Sequence, residues 1–343
     1  MEKVYFVTNR KPNRKDNPTD FGKDFSEDGV ANLRYGYAEV SGPEFDKYKL
    51  TVADEQLILD KKRQRVAPSA VFGSTVIMDS VRKDMADNQR DTLVYIHGYN
   101  VTFKQALTAA ARLASNLRSH DNGNGVNMVL FSWPSDGSAM PYLAYASDRH
   151  DAAPSGPAFA RAFIKLADFL RGSTPEEECR QRLHLLAHSM GNYVLRHAIQ
   201  EIRSNYPGRP PRIFDQVFMM AADEDDDAFE HDYKLSLLPR ITRRVSIYFN
   251  QGDVALQISD KTKGNPDRLG TDGPRLPQQV PAKVTQVDCT PVVSGLVEHS
   301  YYLDSDRVVR DMLYVLSGIP SDEIIGRRYV QDTNRYRLLL NDN

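Results

Sequence analysis

The chain has little cysteine and no long apolar run. Only two of its 343 residues are cysteines, Cys179 and Cys289, so a disulfide framework and a multi-cysteine metal site are excluded and a reducing cytoplasm is favoured. No segment approaches the roughly 18 consecutive apolar residues that a membrane-spanning helix needs. The N-terminal stretch MEKVYFVTNRKPNRKDNPTD turns polar and charged early, unlike a secretory signal. We therefore expect a cytoplasmic protein without stable membrane insertion.

The chain also lacks a strong net charge. Its 44 lysines and arginines nearly balance its 46 aspartates and glutamates, which gives a formal net charge of −2. Such a balance provides no overall attraction for nucleic acid or anionic membranes. With 41% hydrophobic residues, the composition is that of an ordinary globular protein and leaves the oligomeric state open. Nucleic acid is therefore not an expected partner.

Short β-branched and aromatic runs alternate with amphipathic helical patterns. The central runs are almost continuously apolar, as in strands that helices cover on both faces. The predicted strands are Lys3–Asn9, Leu33–Val40, Asp91–Gly98, Val126–Pro134, Arg182–Ser189, Ile213–Ala222, Arg243–Gln251 and Ala282–Cys289. This alternation predicts an α/β fold, with a mostly parallel eight-stranded sheet, helices on both faces and right-handed crossovers.

The same pattern predicts one domain over residues 1–343. Residues 1–90 are expected to supply N-terminal strands and a helical connection, residues 91–318 the catalytic core, and residues 319–343 a C-terminal extension that either pairs as a last strand or stays loose. The charged region Ser41–Asn88 is interpreted as the connection, ending in a helix. The stretch Lys263–Pro281, rich in glycine, proline and charge, is predicted to be a long loop.

The stretch HLLAHSMGNYVL changes from a strand pattern to a helix pattern at Ser189. A sharp strand-to-helix turn exposes a hydroxyl at a fixed angle, as a nucleophile requires. Ala187 and Gly191 flank the serine in the pattern A-x-S-x-G, a variant of the G-x-S-x-G nucleophile elbow. A short match of this kind also arises by chance, but its position between a strand and a helix favours Ser189 as a nucleophile.

A catalytic serine needs a base and an acid, which follow it in the chain order Ser, Asp or Glu, His. Downstream of Ser189 the histidines are His197, His231 and His299. His197 lies two turns into the following helix and is expected to point away, and His231 lies in a charged segment interpreted as solvated. His299, on the loop before the last helix, is therefore the predicted base.

Two aspartates are candidates for the acid, and each follows a predicted strand. Asp253 stands alone after an Asn-Gln-Gly turn, whereas Asp223 is the first of five consecutive acids. We favour Asp253 and keep Asp223 as the alternative. The acidic run lacks the spacing of a calcium loop and is interpreted as a solvated helix cap rather than a metal site.

The predicted oxyanion hole uses two backbone N–H groups. One belongs to Met190, which follows the nucleophile, and the other to Tyr99 in the loop IHGYNVTF after the third strand. Gly98 allows the backbone to turn there, and Asn100 either fixes the loop through its side chain or caps the next helix. His97 is expected to hold the loop together. The remaining pair, His184 and His188, is interpreted as structural rather than zinc-binding.

The motifs VYIHGYN, FSWPSDG, LLAHSMGN, YFNQGDVAL and VEHSYYL, in this order, resemble the α/β-hydrolase superfamily, and more narrowly a bacterial family of esterase/lipase-like serine hydrolases. The resemblance covers about Asp91 to Leu316 and, more weakly, Lys3–Asn9. It implies Ser189 as nucleophile, Asp253 as acid, His299 as base and the N–H groups of Met190 and Tyr99 as oxyanion donors. It also implies that the mouth of the site is bordered by Trp133, Pro134, Ser135, Tyr145 and Asp148; core packing is an equally good interpretation of Trp133. Ala187 departs from the superfamily's usual glycine and crowds the turn.

These residues predict a serine hydrolase that cleaves a carboxylic ester of a small molecule, with a thioester or an amide as less favoured substrates. No cofactor and no metal are expected. A lipase or phospholipase is an alternative, but it calls for an apolar lid, and Lys263–Pro281 is polar. The second alternative is a binding or scaffold protein that keeps the fold without turnover.

Overall fold

The protein is represented by a computed structural model that describes residues 1–53, 59–60, 65–66, 71–137, 141–171, 179–208, 210–253, 255–256, 267–293 and 299–341. Within these ranges the chain forms strands and helices in alternation. The strands are β1 (Glu2–Thr8), β2 (Arg10–Pro12), β3 (Phe21–Phe25), β4 (Arg34–Ser41), β5 (Lys47–Val52), β6 (Leu59–Asp60), β7 (Arg65–Val66), β8 (Thr92–Ile96), β9 (Asn127–Ser132), β10 (Leu183–His188), β11 (Phe214–Met220), β12 (Thr242–Phe249), β13 (Val284–Asp288), β14 (Arg327–Val330) and β15 (Arg335–Leu338).

The helices lie mainly in the connections between parallel strands. They are α1 (Gly73–Asn88), α2 (Phe103–His120), α3 (Pro141–Arg171), α4 (Gly191–Asn205), α5 (Leu238–Ile241), α6 (Leu269–Asp272), α7 (Tyr301–Asp304) and α8 (Asp306–Leu316). Helix α2 begins at a capping box, in which the Thr102 side chain accepts from the Gln105 N–H and the Gln105 side chain accepts from the Thr102 N–H. The long helix α3 contains Pro154 and Pro157.

One large sheet organises the described part of the chain, with eleven strands in the order β14-β15-β13-β12-β11-β10-β8-β9-β1-β4-β5. All neighbouring pairs from β1 to β15 in this order are parallel, whereas β4, β5 and β14 pair antiparallel with their neighbours. The predicted α/β class and mostly parallel sheet are confirmed. The predicted count of eight strands is too low, although every predicted strand lies in this sheet.

The three additional strands lie at or near the sheet edges and carry polar sequences. Strand β5 (KYKLTV) alternates exposed and half-buried residues and belongs to the region that was interpreted as a connection. Strands β14 (RRYV) and β15 (RYRL) form a hairpin, so the C-terminal segment pairs rather than staying loose. Charged edge strands lack the apolar pattern by which central strands are recognised.

Parts of the predicted connection and of the predicted long loop lie outside the described residues, namely 54–58, 61–64, 67–70 and 263–266. The last two residues of the C-terminal extension also lie outside them.

The sheet is covered on both faces, as the apolar strands predict. In β8, Val94 and Ile96 point into a core cluster shared with α1, α3 and α4, while Leu93 and Tyr95 point into a second cluster shared with α2 and α8. Side chains alternate along a strand, so a strand buried on both faces must be apolar throughout. The carboxyl ends of β8, β10, β11 and β12 therefore open at one edge of the sheet, where their loops meet.

Candidate active site

Ser189 occupies the turn between β10 and α4 in a conformation that few side chains adopt. Its φ is +52°, in the left-handed region that costs a non-glycine residue free energy. The Ser189 N–H donates to the Met220 carbonyl (2.9 Å), and the Ser189 carbonyl accepts from the Asp223 N–H (3.2 Å). These bonds to the end of β11 hold the turn in place. The predicted strand–turn–helix geometry is therefore present at Ser189.

The two small residues that flank Ser189, Gly191 and Ala187, fit their positions for different structural reasons. A Cβ at Gly191 would lie 2.7 Å from the Ile96 carbonyl oxygen and 2.8 Å from the His97 carbonyl oxygen. Because both neighbours are backbone atoms at the end of β8, only glycine fits at the start of α4. Ala187 is fully buried in the core cluster of β10, so its methyl group is accommodated in the apolar interior. The departure from glycine at this position leaves the turn intact.

His299 and Asp253 form a hydrogen-bonded pair beside this turn. The His299 Nδ1–H donates to the Asp253 Oδ2 over 2.7 Å, and the Asp253 side chain is 1% exposed. Asp253 Oδ1 also accepts from the Leu256 N–H (3.2 Å). His299 Nε2 is buried and has no hydrogen-bond partner within the described residues. Asp253 therefore orients the His299 ring, and no described group forms a hydrogen bond with its Nε2.

Asp223, the alternative acid, is engaged elsewhere. Its Oδ2 accepts from the Tyr145 hydroxyl (2.8 Å), and its Oδ1 lies 3.4 Å from the Arg268 Nε. Of the two predicted acids, the structure brings Asp253 to His299. His197 and His231 lie away from this pair: the His197 ring packs edge-on against Tyr193, and the half-exposed His231 lies 3.1 Å from Asp227.

His188 links the turn to the segment that carries His299. Its Nε2–H donates to the His299 carbonyl (3.1 Å), and the two imidazole rings lie 4.7 Å apart. Burial lowers the pKa of His188 well below its usual value, so the ring is neutral. The sequence correctly predicts a structural residue here but not this contact, because it joins residues 111 positions apart.

Two consecutive tyrosines anchor the same segment. The Tyr301 hydroxyl donates to the Tyr248 carbonyl (2.8 Å) and accepts from the Ala221 N–H (3.0 Å). The Tyr302 hydroxyl is bonded to the Tyr95 hydroxyl (2.8 Å), and both tyrosines of α7 are buried. The segment that begins at His299 is therefore fixed to β8, to β12 and to the residue that follows β11. The only sequence signal for it is a Tyr-Tyr pair directly after His299-Ser300.

The loop after β8 is held by the buried side chain of Asp148. The Asp148 carboxylate accepts from the Asn100 N–H (2.6 Å), the Ser135 hydroxyl (2.6 Å) and the Asp136 N–H (2.8 Å). Asn100 has φ +57°. Neither predicted role of its side chain is found, because Thr102 caps α2 and the Asn100 Oδ1 has no partner in the described part of the chain. Asp148 thereby joins helix α3 to the loops after β8 and β9.

His97 stabilises this loop through hydrogen bonds and ring stacking, as predicted. Its Nδ1–H donates to the Gly98 carbonyl (2.7 Å), its Nε2 accepts from the Trp133 N–H (3.2 Å), and its ring stacks on the Trp133 ring. The Trp133 Nε1–H donates to the His97 carbonyl (2.9 Å), and Trp133 is fully buried. Of the two interpretations of Trp133, packing behind the loop therefore describes its position. The rings of Tyr99, in this loop, and Tyr145, on α3, pack edge to face with their centres 5.6 Å apart.

His97 makes folding sensitive to acid. Burial, reinforced by the nearby Arg10 guanidinium, lowers the pKa of His97 to about 3, so the folded state requires the neutral ring. Its contribution to stability is complete above pH 6.5 and is lost as the pH falls towards about 3. We expect the free energy of unfolding to drop by about 1.4 kcal/mol per pH unit below 6.5 from this residue. Urea unfolding of wild type and His97→Gln at pH 7.0 and 4.5 measures it: the variant should lose about 3 kcal/mol less over this interval, and equal losses would contradict the assignment.

Gly98 permits a close approach of the loop after β8 to Ser189. A Cβ at this position would lie 2.9 Å from the Ser189 Cβ and 3.1 Å from the His188 Nδ1. We expect Gly98→Ala to displace the serine and to lower kcat/KM by about 10²-fold, the usual effect of a misplacement near 1 Å. Gly208→Ala is the control, because nothing lies within 4 Å of its added Cβ. Equal kcat/KM values for Gly98→Ala and the control would show that the loop does not constrain Ser189.

The acidic run Asp223–Asp227 is not a solvated cap, contrary to the prediction. No helix follows it directly, and four of its five residues are buried. Arg268 lies 2.8 Å from Asp225, Arg196 lies 3.3 Å from Glu224, and Lys234 contacts Asp225 and Asp227. Burial raises the pKa of Glu224 to about 7. The acidic run alone predicts exposure to solvent, because it does not show that the fold brings Arg196 and Arg268 to these carboxylates.

No metal-binding cluster appears among the described residues, where no group of three or more His, Cys, Asp or Glu side chains is positioned to hold an ion. His184, one of the paired histidines of β10, instead lies 3.1 Å from Asp91 and accepts from the Gln216 N–H (3.3 Å). The described helices also include none that is both long and apolar enough to cross a membrane.

A mostly parallel sheet, a serine at a strained strand-to-helix turn and a His–Asp pair on later loops together define an α/β hydrolase. Residues 74–316 match the family described as "Alpha/beta hydrolase of unknown function (DUF900)", and the chain belongs to this family. It is also 22% identical over 386 residues to the uncharacterized protein alr1448 of Nostoc sp. (strain PCC 7120), an alignment that covers 92% of this chain and 94% of that protein. The predicted membership of the superfamily is confirmed.

Proposed function

We propose that the protein is a serine hydrolase that cleaves carboxylic esters through Ser189, His299 and Asp253. The observation that carries this proposal is the buried Nε2 of His299, which no described group bonds. Its ring is oriented by the 2.7 Å bond to Asp253 and held by His188, the neighbour of Ser189. An imidazole oriented in this way by a buried carboxylate is the base that a serine nucleophile requires.

In the proposed mechanism, Ser189 Oγ attacks the ester carbonyl carbon while its proton passes to His299 Nε2. The negative charge that develops on the carbonyl oxygen is stabilised by the N–H groups of Met190 and Tyr99. When the tetrahedral intermediate collapses, the bond to the leaving oxygen breaks and His299 returns the proton to that oxygen. Water then attacks the acyl-enzyme by the same route and releases the acid and Ser189.

The alternative of a binding protein without turnover is less well supported. The Ser189 conformation with φ +52° costs the fold free energy, and the His299 Nε2 is a buried polar atom without a partner among the described residues. Such costs are typical of sites that perform chemistry.

The proposal also includes a cytoplasmic location. The two free cysteines, Cys179 and Cys289, support it, because a reducing compartment keeps thiols free.

A panel of p-nitrophenyl esters of increasing acyl length tests the proposal. We expect steady release of p-nitrophenol, preceded by a burst of up to one equivalent of enzyme for esters whose acyl-enzyme is hydrolysed more slowly than it forms. The dependence of kcat/KM on length then separates an esterase from a lipase. Folded protein that releases p-nitrophenol no faster than buffer, for every ester in the panel, would remove the esterase proposal.

A further inference from the structure

Arg149 is a half-buried cation near the candidate nucleophile, and no hydrogen bond or ion pair within the described part of the chain uses it. Its Nη1 is sealed from solvent without an acceptor. The guanidinium carbon lies 3.8 Å from the centre of the Tyr193 ring, a cation–π contact that positions the group over this ring. A guanidinium offers five N–H donors, and native structures rarely bury such donors unused.

Helix geometry places Arg149 beside the catalytic elements. Tyr145 and Arg149 are four residues apart on α3 and therefore share one face of this helix, and Tyr193 lies four residues after Ser189 at the start of α4. Tyr145 is itself bonded to Asp223, whose N–H donates to the Ser189 carbonyl (3.2 Å). Tyr193 thus lies about one helical turn, roughly 5 Å, from Ser189, and Arg149 lies one turn from Tyr145, which Asp223 connects to the Ser189 backbone.

The acids near Arg149 have other partners. Asp223 is bonded by Tyr145 and lies 3.4 Å from Arg268, and Glu224 lies 3.3 Å from Arg196. Burial opposes the charge of Arg149, but Tyr145, Asp223, Tyr193 and Glu224 together outweigh this effect and raise its pKa. The guanidinium therefore stays charged, and because no described acceptor bonds it, it remains available to an external anion.

We propose that Arg149, stacked on Tyr193, binds an anionic group of the substrate, so that the preferred esters carry a carboxylate or a phosphate away from the scissile bond. This proposal rests on the proposed esterase function. A guanidinium recognises carboxylate and phosphate through paired, charge-assisted hydrogen bonds. A neutral ester of the same length leaves these donors unused.

The test compares the mono-p-nitrophenyl ester of glutarate with p-nitrophenyl pentanoate. We expect wild type to prefer the anionic ester by about 10-fold or more in kcat/KM, since a hydrogen bond to a charged group is worth that much. In Arg149→Met this ratio should approach one, and Arg149→Lys should retain part of it. Arg161→Met is the matched control: Arg161 is exposed on the same helix, about 18 Å further along, and its loss should leave the ratio unchanged.

If neither ester is hydrolysed, a measurement of anion binding still tests the anion site separately from the esterase proposal. Calorimetry on wild type and Arg149→Met with glutarate, neutral glutaramide and inorganic phosphate needs no turnover. Binding of glutarate or phosphate that is lost in Arg149→Met supports the anion site even without hydrolysis, and the comparison of the two anions shows which source is preferred. Hydrolysis of both esters with the same ratio in wild type and Arg149→Met, or anion binding that the substitution does not weaken, would overturn the proposal.

Discussion

Ser189→Ala should lower kcat for ester hydrolysis by about 10⁴-fold or more, to the rate that binding and the oxyanion donors alone provide. The substitution removes the hydroxyl of the proposed nucleophile and keeps the backbone bonds from Ser189 to Met220 and Asp223. Both the burst and the steady rate should therefore disappear while the fold remains. Steady-state kinetics and the thermal unfolding midpoint measure the two effects separately.

Ser204→Ala is the control for this substitution. Ser204 lies exposed near the end of α4, and its hydroxyl donates to the Gln200 carbonyl within the same helix (3.0 Å). We expect its kcat to equal that of wild type. If Ser189→Ala kept kcat within 10-fold of the control, Ser189 would not be the nucleophile, since a missing nucleophile costs far more than this.

Asp253→Asn should lower kcat by about 10³- to 10⁴-fold. An amide at this position presents either an N–H₂ group or a weaker acceptor to the imidazole, so the neutral ring no longer keeps its proton on Nδ1 and no longer leaves Nε2 free to act as the proposed base. Nothing else in the pair changes, because asparagine has the same shape as aspartate. The pH dependence of kcat/KM and the value of kcat for Asp253→Asn measure this loss.

Asp223→Asn is the matched comparison, because both aspartates are 1% exposed and both follow strands of the sheet. The amide that this substitution introduces can still accept from the Tyr145 hydroxyl, but the buried Arg268 loses a carboxylate partner and keeps Asp225. We expect a kcat within about 10-fold of wild type and a stability loss of about 1–3 kcal/mol. A larger loss of kcat in Asp223→Asn than in Asp253→Asn would make Asp223 the acid.

The sequence is most informative where the local pattern and the chain order agree. Central strands such as β8 and β10 are buried on both faces, so their composition alone reveals them. Ser189 is recognisable because its turn needs a small neighbour on each side, and the fold places the ends of parallel strands together. Asp253 and His299 follow from their positions after the serine, and the structure places these two side chains 2.7 Å apart.

The features that the sequence did not reveal depend on contacts between distant segments. The His188–His299 contact, the anchors at Tyr301 and Tyr302 and the stacked guanidinium of Arg149 have no local signature, because a single histidine, tyrosine or arginine fits many environments. The acidic run was misjudged for the same reason: Arg268 lies 45 residues after Asp223, and the sequence does not show that the fold brings it back. Edge strand β5 was missed because a strand half exposed to water is as polar as a loop.

Covalent labelling by a fluorophosphonate probe tests the central claim most directly, because the probe reacts only with a serine that a base activates. We predict one adduct per chain, located at Ser189 by peptide mass spectrometry, with labelling slowed strongly in Asp253→Asn and abolished in Ser189→Ala. Absence of labelling in folded wild-type protein, or equal labelling of Ser189→Ala, would contradict the assignment of Ser189 as an activated nucleophile.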